Sequence, residues 1–324
     1  MRALTAFLLA AALAVLPALA KDKAKREPPP MEFKKQEQVL KWINDYRKAP
    51  EPDRLPEVVH AMGDLGLFRD LENAGVYIGF TAGVLGANPD RAERLVARMF
   101  PMPPEDQVVL IRAIAYSGLD DWKGLLQKFV ERMPARMVLL RKYLYGDGKA
   151  LKDLPITDGG GGYVLDTLWG YYFATGDREP ARRIVGALAL SEDRNDLEKL
   201  TIGSMAKWTL ATNASREKEL LDILSEEMNT QPAEVRKPLR EVIEAAETFE
   251  TGKIKKDALA AIDELKTKGS LNSRNYNWWG QVGQTALALG CVGAAAGGVV
   301  AAGIPCVVGG ALSSAALKYL APNQ

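Results

Sequence analysis

The sequence predicts an all-α protein, and three observations lead to that fold class. Apolar side chains recur every three to four residues from about residue 31 to 249, which is the period of amphipathic helices. Proline-containing pairs such as Asn88-Pro89 and Gln231-Pro232 stand directly before several of these stripes, where proline suits the first turn of a helix. The sequence lacks both the two-residue alternation of a half-buried strand and the Asn-Gly pair of a tight hairpin. It therefore predicts helices throughout its body.

The first twenty residues (1–20) have the pattern of a cleaved secretory signal peptide. Arg2 provides the positive start, residues 4–16 form an uncharged apolar stretch, and residues 18–20 match the Ala-x-Ala cleavage motif. This stretch is short for a membrane-spanning helix, and a retained anchor is the alternative. Residues 21–30 are charged and then proline-rich, which predicts an extended tether. We therefore expect an exported protein of the periplasm or cell envelope.

Charge is balanced over the predicted mature chain. Arg2 is the only charged residue of the leader, so 41 basic and 41 acidic side chains remain after its removal. Nucleic-acid-binding proteins usually present a basic face, and this balance argues against nucleic acid as a partner. It also gives the chain as a whole no general attraction to anionic lipid.

The body divides into two predicted helical blocks, residues 31–145 and 163–273. In the first block, residues 122–133 carry one apolar stripe over three turns, which predicts a single helix there. A Gly-rich loop at 146–162 separates the blocks, and we expect it to act as a hinge. Its glycine run is not followed by Lys-Ser/Thr, as a phosphate-binding loop requires, and its aspartates lack the spacing of a calcium loop.

One predicted helix carries glycines every four residues, at Gly75, Gly79 and Gly83. Each glycine costs about 1 kcal/mol in helix propensity relative to alanine. A second helix that approaches closely along the glycine face offsets such a cost. We therefore expect these glycines to pack against another helix, with a binding groove as the alternative.

Residues 165–188 contain an aromatic residue, a turn glycine and a small packing residue at Tyr172, Gly176 and Ala181. In this spacing the segment resembles a tetratricopeptide-type helical hairpin, and residues 89–99 partly repeat it. A Leu-Trp pair stands where that repeat has Leu-Gly, and no proline closes the unit. The resemblance implies stacked helical hairpins in a solenoid-like body, whose surfaces generally bind protein segments.

Residues 274–324 form an apolar tail that we expect to contact a membrane or a partner. Between Arg274 and Lys318, 43 consecutive residues carry no charge. Aromatic residues border this run, as in the interfacial belts of membrane proteins. The membrane-interface residues that we predict are Tyr276, Trp278, Trp279, Lys318 and Tyr319. An aromatic cluster in the protein core is the alternative.

Small residues recur four apart within the tail, a spacing that lets helix backbones approach closely in lipid. The helix-packing glycines that we predict there are Gly293, Gly297, Gly298 and Gly310. This composition also makes the tail only modestly hydrophobic, so it permits a membrane span without requiring one.

Both cysteines of the chain, Cys291 and Cys306, lie in the tail, and an exported protein favours a disulfide between them. In one straight helix they would be about 22 Å apart, whereas a disulfide needs Cα atoms within about 7 Å. An oxidised pair therefore predicts a C-terminal Gly/Ala-rich apolar helical hairpin. A reduced pair leaves a kinked single span open.

The sequence contains no catalytic or metal-binding signature. His60 is the only histidine, so the usual zinc ligand sets are missing. The chain has no Gly-x-Ser-x-Gly motif, and its cysteines are far from His60. Asp166 stands beside Trp169 and Tyr172, where we expect a capping or network role. We therefore expect no enzyme activity, no cofactor and no metal.

These observations lead to two main hypotheses of function. The first is a non-enzymatic envelope scaffold or adaptor that binds a protein partner, or itself, and associates with the membrane through residues 275–320. The second is a membrane-active protein whose Gly/Ala-rich tail self-associates or forms a pore. A third, a hydrolase that uses carboxylates, would need a cleft that the sequence does not reveal.

Overall fold

A computed structural model describes residues 32–157 and 160–248, together with positions 254, 256, 257 and 260. Within these residues the protein has twelve α-helices, six short 3₁₀ helices and no β-strand. The prediction of an all-α protein is therefore confirmed.

The α-helices follow one another with short connections. In chain order they are α1 (Gln36–Asp45), α2 (Leu55–Asp64), α3 (Gly75–Gly86), α4 (Pro89–Arg98), α5 (Gln107–Tyr116), α6 (Trp122–Gln127), α7 (Met137–Tyr145), α8 (Gly161–Thr175), α9 (Arg178–Gly186), α10 (Leu197–Ala214), α11 (Lys218–Glu227) and α12 (Ala233–Glu247). The 3₁₀ helices are Tyr46–Lys48, Pro52–Arg54, Val130–Arg132, Pro134–Arg136, Leu151–Asp153 and Ala187–Glu192.

Local sequence explains where several helices begin and end. The carboxylates of Asp121, Asp177 and Asp196 accept backbone N–H bonds at the starts of α6, α9 and α10. Helix α8 ends at Gly176, whose φ of 69° lies in the left-handed region that glycine adopts without strain. The turn between α8 and α9 is therefore encoded by the adjacent pair Gly176-Asp177.

The prediction of one helix over residues 122–133 was wrong. Helix α6 ends at Gln127, and the apolar stripe continues through the 3₁₀ helix Val130–Arg132. Pro134 keeps only the last residue of the stripe, Met133, out of the α conformation, because the residue before a proline is disfavoured in the α region. Met133 accordingly has φ −128° and ψ 48°.

Helix α3 is the centre of the hydrophobic core. Every residue from Gly75 to Leu85 is buried, so this helix has no polar face. Its most extensive contact is with α8, and α2, α4 and α5 also pack against it. Helices from both sides of the 146–162 segment thus contribute to one continuous core.

The helices after α9 pack around α10. This helix contacts the 3₁₀ helix Ala187–Glu192 most extensively, and it also contacts α12, α11, α9 and α8. Helix α12 buries one stripe and exposes its carboxylates, as an amphipathic surface helix does. The described residues from Glu32 onward belong to one compact unit.

Several predictions concern residues outside the described part of the chain. They are the leader at 1–20, the tether at 21–30, the apolar tail at 274–324 with its interface residues and packing glycines, and the disulfide between Cys291 and Cys306. In the predicted 146–162 loop, Asp158 and Gly159 also lie outside, whereas Leu151–Asp153 form a 3₁₀ helix and α8 begins at Gly161. None of the helices in the described residues is long and apolar enough to cross a bilayer.

Candidate functional site

The glycine face of α3 is occupied by α8. A methyl group placed on Gly79 would lie 1.9 Å from the carbonyl oxygen of Thr167, and one on Gly75 would lie 2.7 Å from that of Tyr163. Gly83 meets the Ala174 side chain at 2.7 Å. Contacts below 3 Å require the backbone to move, so only glycine allows this approach. The groove therefore holds a helix of the same chain.

Helix α8 contributes a matching glycine that the sequence analysis did not single out. A methyl group on Gly170 would lie 2.1 Å from the carbonyl oxygen of Val76 and 2.7 Å from the backbone nitrogen of Phe80. The two backbones therefore approach each other from both sides. No other glycine of α8 lies three or four residues from Gly170, which explains why no periodic signal revealed it.

A cleft opens where the α5–α6 turn, the Leu151–Asp153 3₁₀ helix and the α8–α9 turn meet. Its volume is about 330 Å³. The apolar lining comprises Ala115, Leu119, Trp122, Ala150, Leu151, Leu168 and Pro180, and the polar lining comprises Tyr116, Asp120, Lys152, Tyr171, Asp177, Glu179 and Arg183. We call this feature the α5–α9 cleft.

The first wall of the α5–α9 cleft is fixed by the hydroxyl of Tyr171. This hydroxyl donates a hydrogen bond of 3.1 Å to the carbonyl oxygen of Ser117, in the turn after α5. The turn passes through Gly118, whose φ is 74°, and the end of α3 at Gly86 packs closely against it. Burial, and to a lesser extent the nearby carboxylate of Asp177, raises the pKa of Tyr171 above its ordinary value.

The second wall is held by the guanidinium of Arg183. Its two terminal nitrogens donate to the carbonyl oxygens of Leu151 and Leu154, at 2.7 Å and 2.6 Å. Hydrogen bonds from a charged donor are stronger than those between neutral groups. Burial lowers the pKa of Arg183 below its ordinary value, and nearby Glu179 and Asp153 oppose this effect. One side chain therefore ties the 151–154 segment to α9.

The α5–α9 cleft combines apolar side chains with charged groups of both signs. The described residues that line it include no Ser, Thr, Cys or His side chain. Asp177 already caps α9 by accepting the Glu179 backbone N–H at 3.1 Å. A concave, partly apolar surface with a few charged groups is typical of ligand and peptide sites.

A second cavity, of about 490 Å³, lies where α1, α8, α10 and α11 meet. Its charged groups bind one another: Arg47 forms ion pairs with Glu217 and Glu219, and Tyr172 donates to Glu217 at 3.0 Å. The Arg47 guanidinium also lies over the Tyr172 ring, 4.9 Å from its centre. The pKa of Tyr172 is raised to about 12, because the effect of burial exceeds the opposing effect of the Arg47 charge. This network connects the 3₁₀ helix Tyr46–Lys48 to the start of α11.

A third polar cluster surrounds Arg112 on α5. Its guanidinium lies 5.2 Å from the ring centre of Tyr163, and the hydroxyls of Tyr116 and Tyr143 are 3.1 Å apart. The pKa of Tyr143 is raised above its ordinary value, because the effect of burial exceeds the opposing effect of the hydrogen bond with Tyr116. Among the described residues, the buried Arg112 Nε and the Tyr163 hydroxyl have no hydrogen-bond partner. Neither cavity is lined by Arg112 or Tyr163.

The residues considered for catalysis lie apart from the α5–α9 cleft. His60 Nε2 is 3.4 Å from the Arg98 carbonyl oxygen, and Asp166 is buried in the α3–α8 interface. In residues 32–157 and 160–248, His, Cys, Asp and Glu side chains nowhere form a group of three that could hold a metal ion. Sequence reasoning missed Leu119, Tyr171 and Arg183 as site residues. Their partners are distant in the chain, so they leave no local pattern.

No family model matches the chain, and no curated protein or solved structure is significantly similar to it. What is established of the class is that the described part of the protein is all-helical.

Proposed function

We propose that the protein is an exported, non-enzymatic helical adaptor that binds a segment of a protein partner in the α5–α9 cleft. Residues 274–324 hold it at the membrane of the cell envelope in this proposal. The cleft is the observation that carries it, because it combines an apolar lining with charged groups of both signs. The leader at 1–20 and the uncharged tail support the location.

The lining favours a peptide segment as the ligand. Leu119, Trp122 and Leu168 offer apolar contacts for one anchoring side chain. Lys152 and Asp120 offer a cation and a carboxylate for the polar backbone and side chains around that anchor. Hydrogen bonds from Tyr171 and Arg183 hold both walls in place, which reduces the entropy lost on binding.

The helical hairpin is the building unit in this proposal. Helices α8 and α9 correspond to the segment that resembles a tetratricopeptide-type hairpin. The αL turn at Gly176 and the fully buried Ala181 are consistent with that resemblance. Stacked hairpins of this type generally present surfaces that bind protein segments. We extend that architecture to the solenoid-like body of the adaptor.

A peptide-display selection on the mature protein tests the binding site. Leu119→Glu places a charge in the cleft, and we expect it to weaken selected peptides at least about tenfold, since burying an unpaired charge is costly. Leu221→Glu is the matched control, because Leu221 is also partly buried but lies on α11. Selected peptides that bind both variants equally would exclude the cleft as the site.

Flotation of the full mature chain with lipid vesicles tests the membrane anchor. We expect the full chain to float, whereas a chain that ends at Ser273 remains in solution and stays helical. Mass spectrometry without reductant then shows the cleavage site and the state of Cys291 and Cys306. If both chains stay in solution, the anchoring part of the proposal is wrong. Dye release by the full chain would favour the membrane-active hypothesis instead.

A further inference from the structure

Charge is distributed unevenly along the described body. Residues 122–152 contain eight Lys or Arg and two Asp or Glu. Residues 32–121 contain 11 basic and 15 acidic side chains, and residues 177–248 also contain 11 and 15. The segment that includes α6 and α7 is therefore strongly basic between two acidic regions. The net charge of the mature chain is zero, so it does not show this contrast.

Most of these cations are exposed and lack a nearby carboxylate. Arg141, Lys142 and Lys149 are all exposed. In the described residues, Lys142 has one acidic neighbour, Asp147, at the long distance of 3.9 Å. Arg141 and Lys149 have no carboxylate within 4 Å in that part of the chain. Their charges are thus available to an external anion.

Two exposed apolar side chains lie among these cations. Val138 and Tyr145 are 87% and 74% exposed, and they are the large hydrophobic residues most open to solvent in the described part of the chain. They are seven residues apart on α7, which places them on one helix face with Arg141 and Lys142 between them. We call these four residues the α7 face.

We propose that the α7 face is a docking surface for an anionic phospholipid bilayer. Long basic side chains bind phosphate headgroups, while an aliphatic and an aromatic side chain enter the interfacial layer. The residues of the α7 face line neither of the two cavities described above. A bilayer needs no pocket, and it attracts several cations at once.

This contact goes beyond the proposed adaptor function and its anchor, because it involves the helical body itself. It makes the body lie against the membrane instead of only being tethered to it. Loss of peptide binding to the α5–α9 cleft would leave it intact, and the reverse also holds. The variants below therefore avoid every residue that lines the cleft.

Vesicle partition of the full mature chain tests the proposal. Vesicles of pure phosphatidylcholine are compared with vesicles that contain about one third phosphatidylglycerol, at limiting lipid and low salt. We expect stronger partition onto the anionic vesicles, and this excess should disappear at high salt because exposed charges are screened.

The triple variant Arg141→Gln, Lys142→Gln, Lys149→Gln removes the cations. We expect about a fivefold loss of anionic partition per cation, about 100-fold in total, since each contributes about 1 kcal/mol near an anionic surface. The matched control is Arg178→Gln, Lys218→Gln, Lys237→Gln, which removes three exposed cations elsewhere. We expect this control to change partition less than about threefold. Partition onto phosphatidylcholine should be equal in both.

A second variant separates lipid from an acidic protein as the ligand. Val138→Ser with Tyr145→Ser keeps every charge, and we expect about a tenfold loss of anionic partition because the apolar side chains no longer enter the interface. An equal loss in the triple variant and its control would overturn the proposal. So would a triple variant that partitions like the wild type but loses binding to polyglutamate. Circular dichroism verifies that all variants remain helical.

Discussion

Helices α3 and α7 show two opposite ways in which one chain uses a helix. Helix α3 is buried on all sides and meets α8 through glycines, so the chain itself supplies its partner. Helix α7 buries Leu140, Tyr143 and Leu144 and exposes basic residues on the other side. The difference teaches that a helix without a polar face belongs to the interior, whereas one with an open basic face has room for an external ligand.

The largest expected effect comes from Gly79 in α3. We expect Gly79→Ala to lower the free energy of unfolding by about 3 kcal/mol, because the new methyl group forces the α3 and α8 backbones apart. Gly186→Ala is the control, since apart from its chain neighbours and the backbone of its own helix no atom lies within 4 Å of the added methyl group. It should be neutral or stabilise by up to about 1 kcal/mol. Denaturant unfolding of the mature protein measures both, and equal effects would contradict close α3–α8 packing.

Valine-to-alanine substitutions in α3 and α7 test the difference in burial between the two helices. Val84 in α3 is fully buried and Val138 in α7 is 87% exposed. We expect Val84→Ala to lower the free energy of unfolding by about 2 kcal/mol through the lost contacts and the cavity left behind. Val138→Ala should change it by less than about 0.5 kcal/mol. A destabilising Val138→Ala would show that another part of the chain covers the α7 face.

Glu227 at the end of α11 differs from both helices, because its carboxylate is nearly buried and is held by hydrogen bonds. Burial raises its pKa, but hydrogen bonds from Gln231, Thr230 and Arg182 lower it, and the result lies below its ordinary value. A lowered pKa stabilises the fold above the ordinary value of 4.5 and loses that contribution as pH falls. We expect Glu227→Gln to cost about 1.5 kcal/mol at pH 7 and less below pH 4.5.

The control for this prediction is Glu226→Gln at the neighbouring, exposed position. We expect it to cost less than about 0.5 kcal/mol at any pH, because an exposed ion pair contributes little. Unfolding measured from pH 3 to pH 7 compares the two. A cost for Glu227→Gln that stays constant over this range would show that its ionisation is not linked to stability.

Much of the secondary structure could be predicted from local sequence. Helix starts at Pro89, Trp122 and Ala233 follow the predicted signals, because capping and proline placement act within one turn. The end of α6 was missed because the apolar periodicity continues past Gln127 through the 3₁₀ helix Val130–Arg132. Periodicity alone does not distinguish an α-helix from a following 3₁₀ turn.

The candidate site could not be predicted in the same way. The contact between Tyr171 and Ser117 joins residues 54 positions apart, and that between Arg183 and Leu151 joins residues 32 apart. Such contacts depend on how helices pack. On α3 the glycine spacing indicated which face meets another helix, but it did not identify that helix as α8. The basic α6–α7 segment could be read from the sequence, but the net charge of the whole chain does not show it.

The burial of α3 against α8 also affects folding during synthesis, because α3 is made well before α8. Residue 86 ends the first helix and residue 161 begins the second, so about 75 further residues must be made before α8 begins. At about 5 to 20 residues per second, the ribosome needs roughly 4 to 15 seconds for that stretch. During this delay α3, which is buried on all sides in the folded protein, has no α8 to pack against, and chaperones are needed to keep it from aggregating.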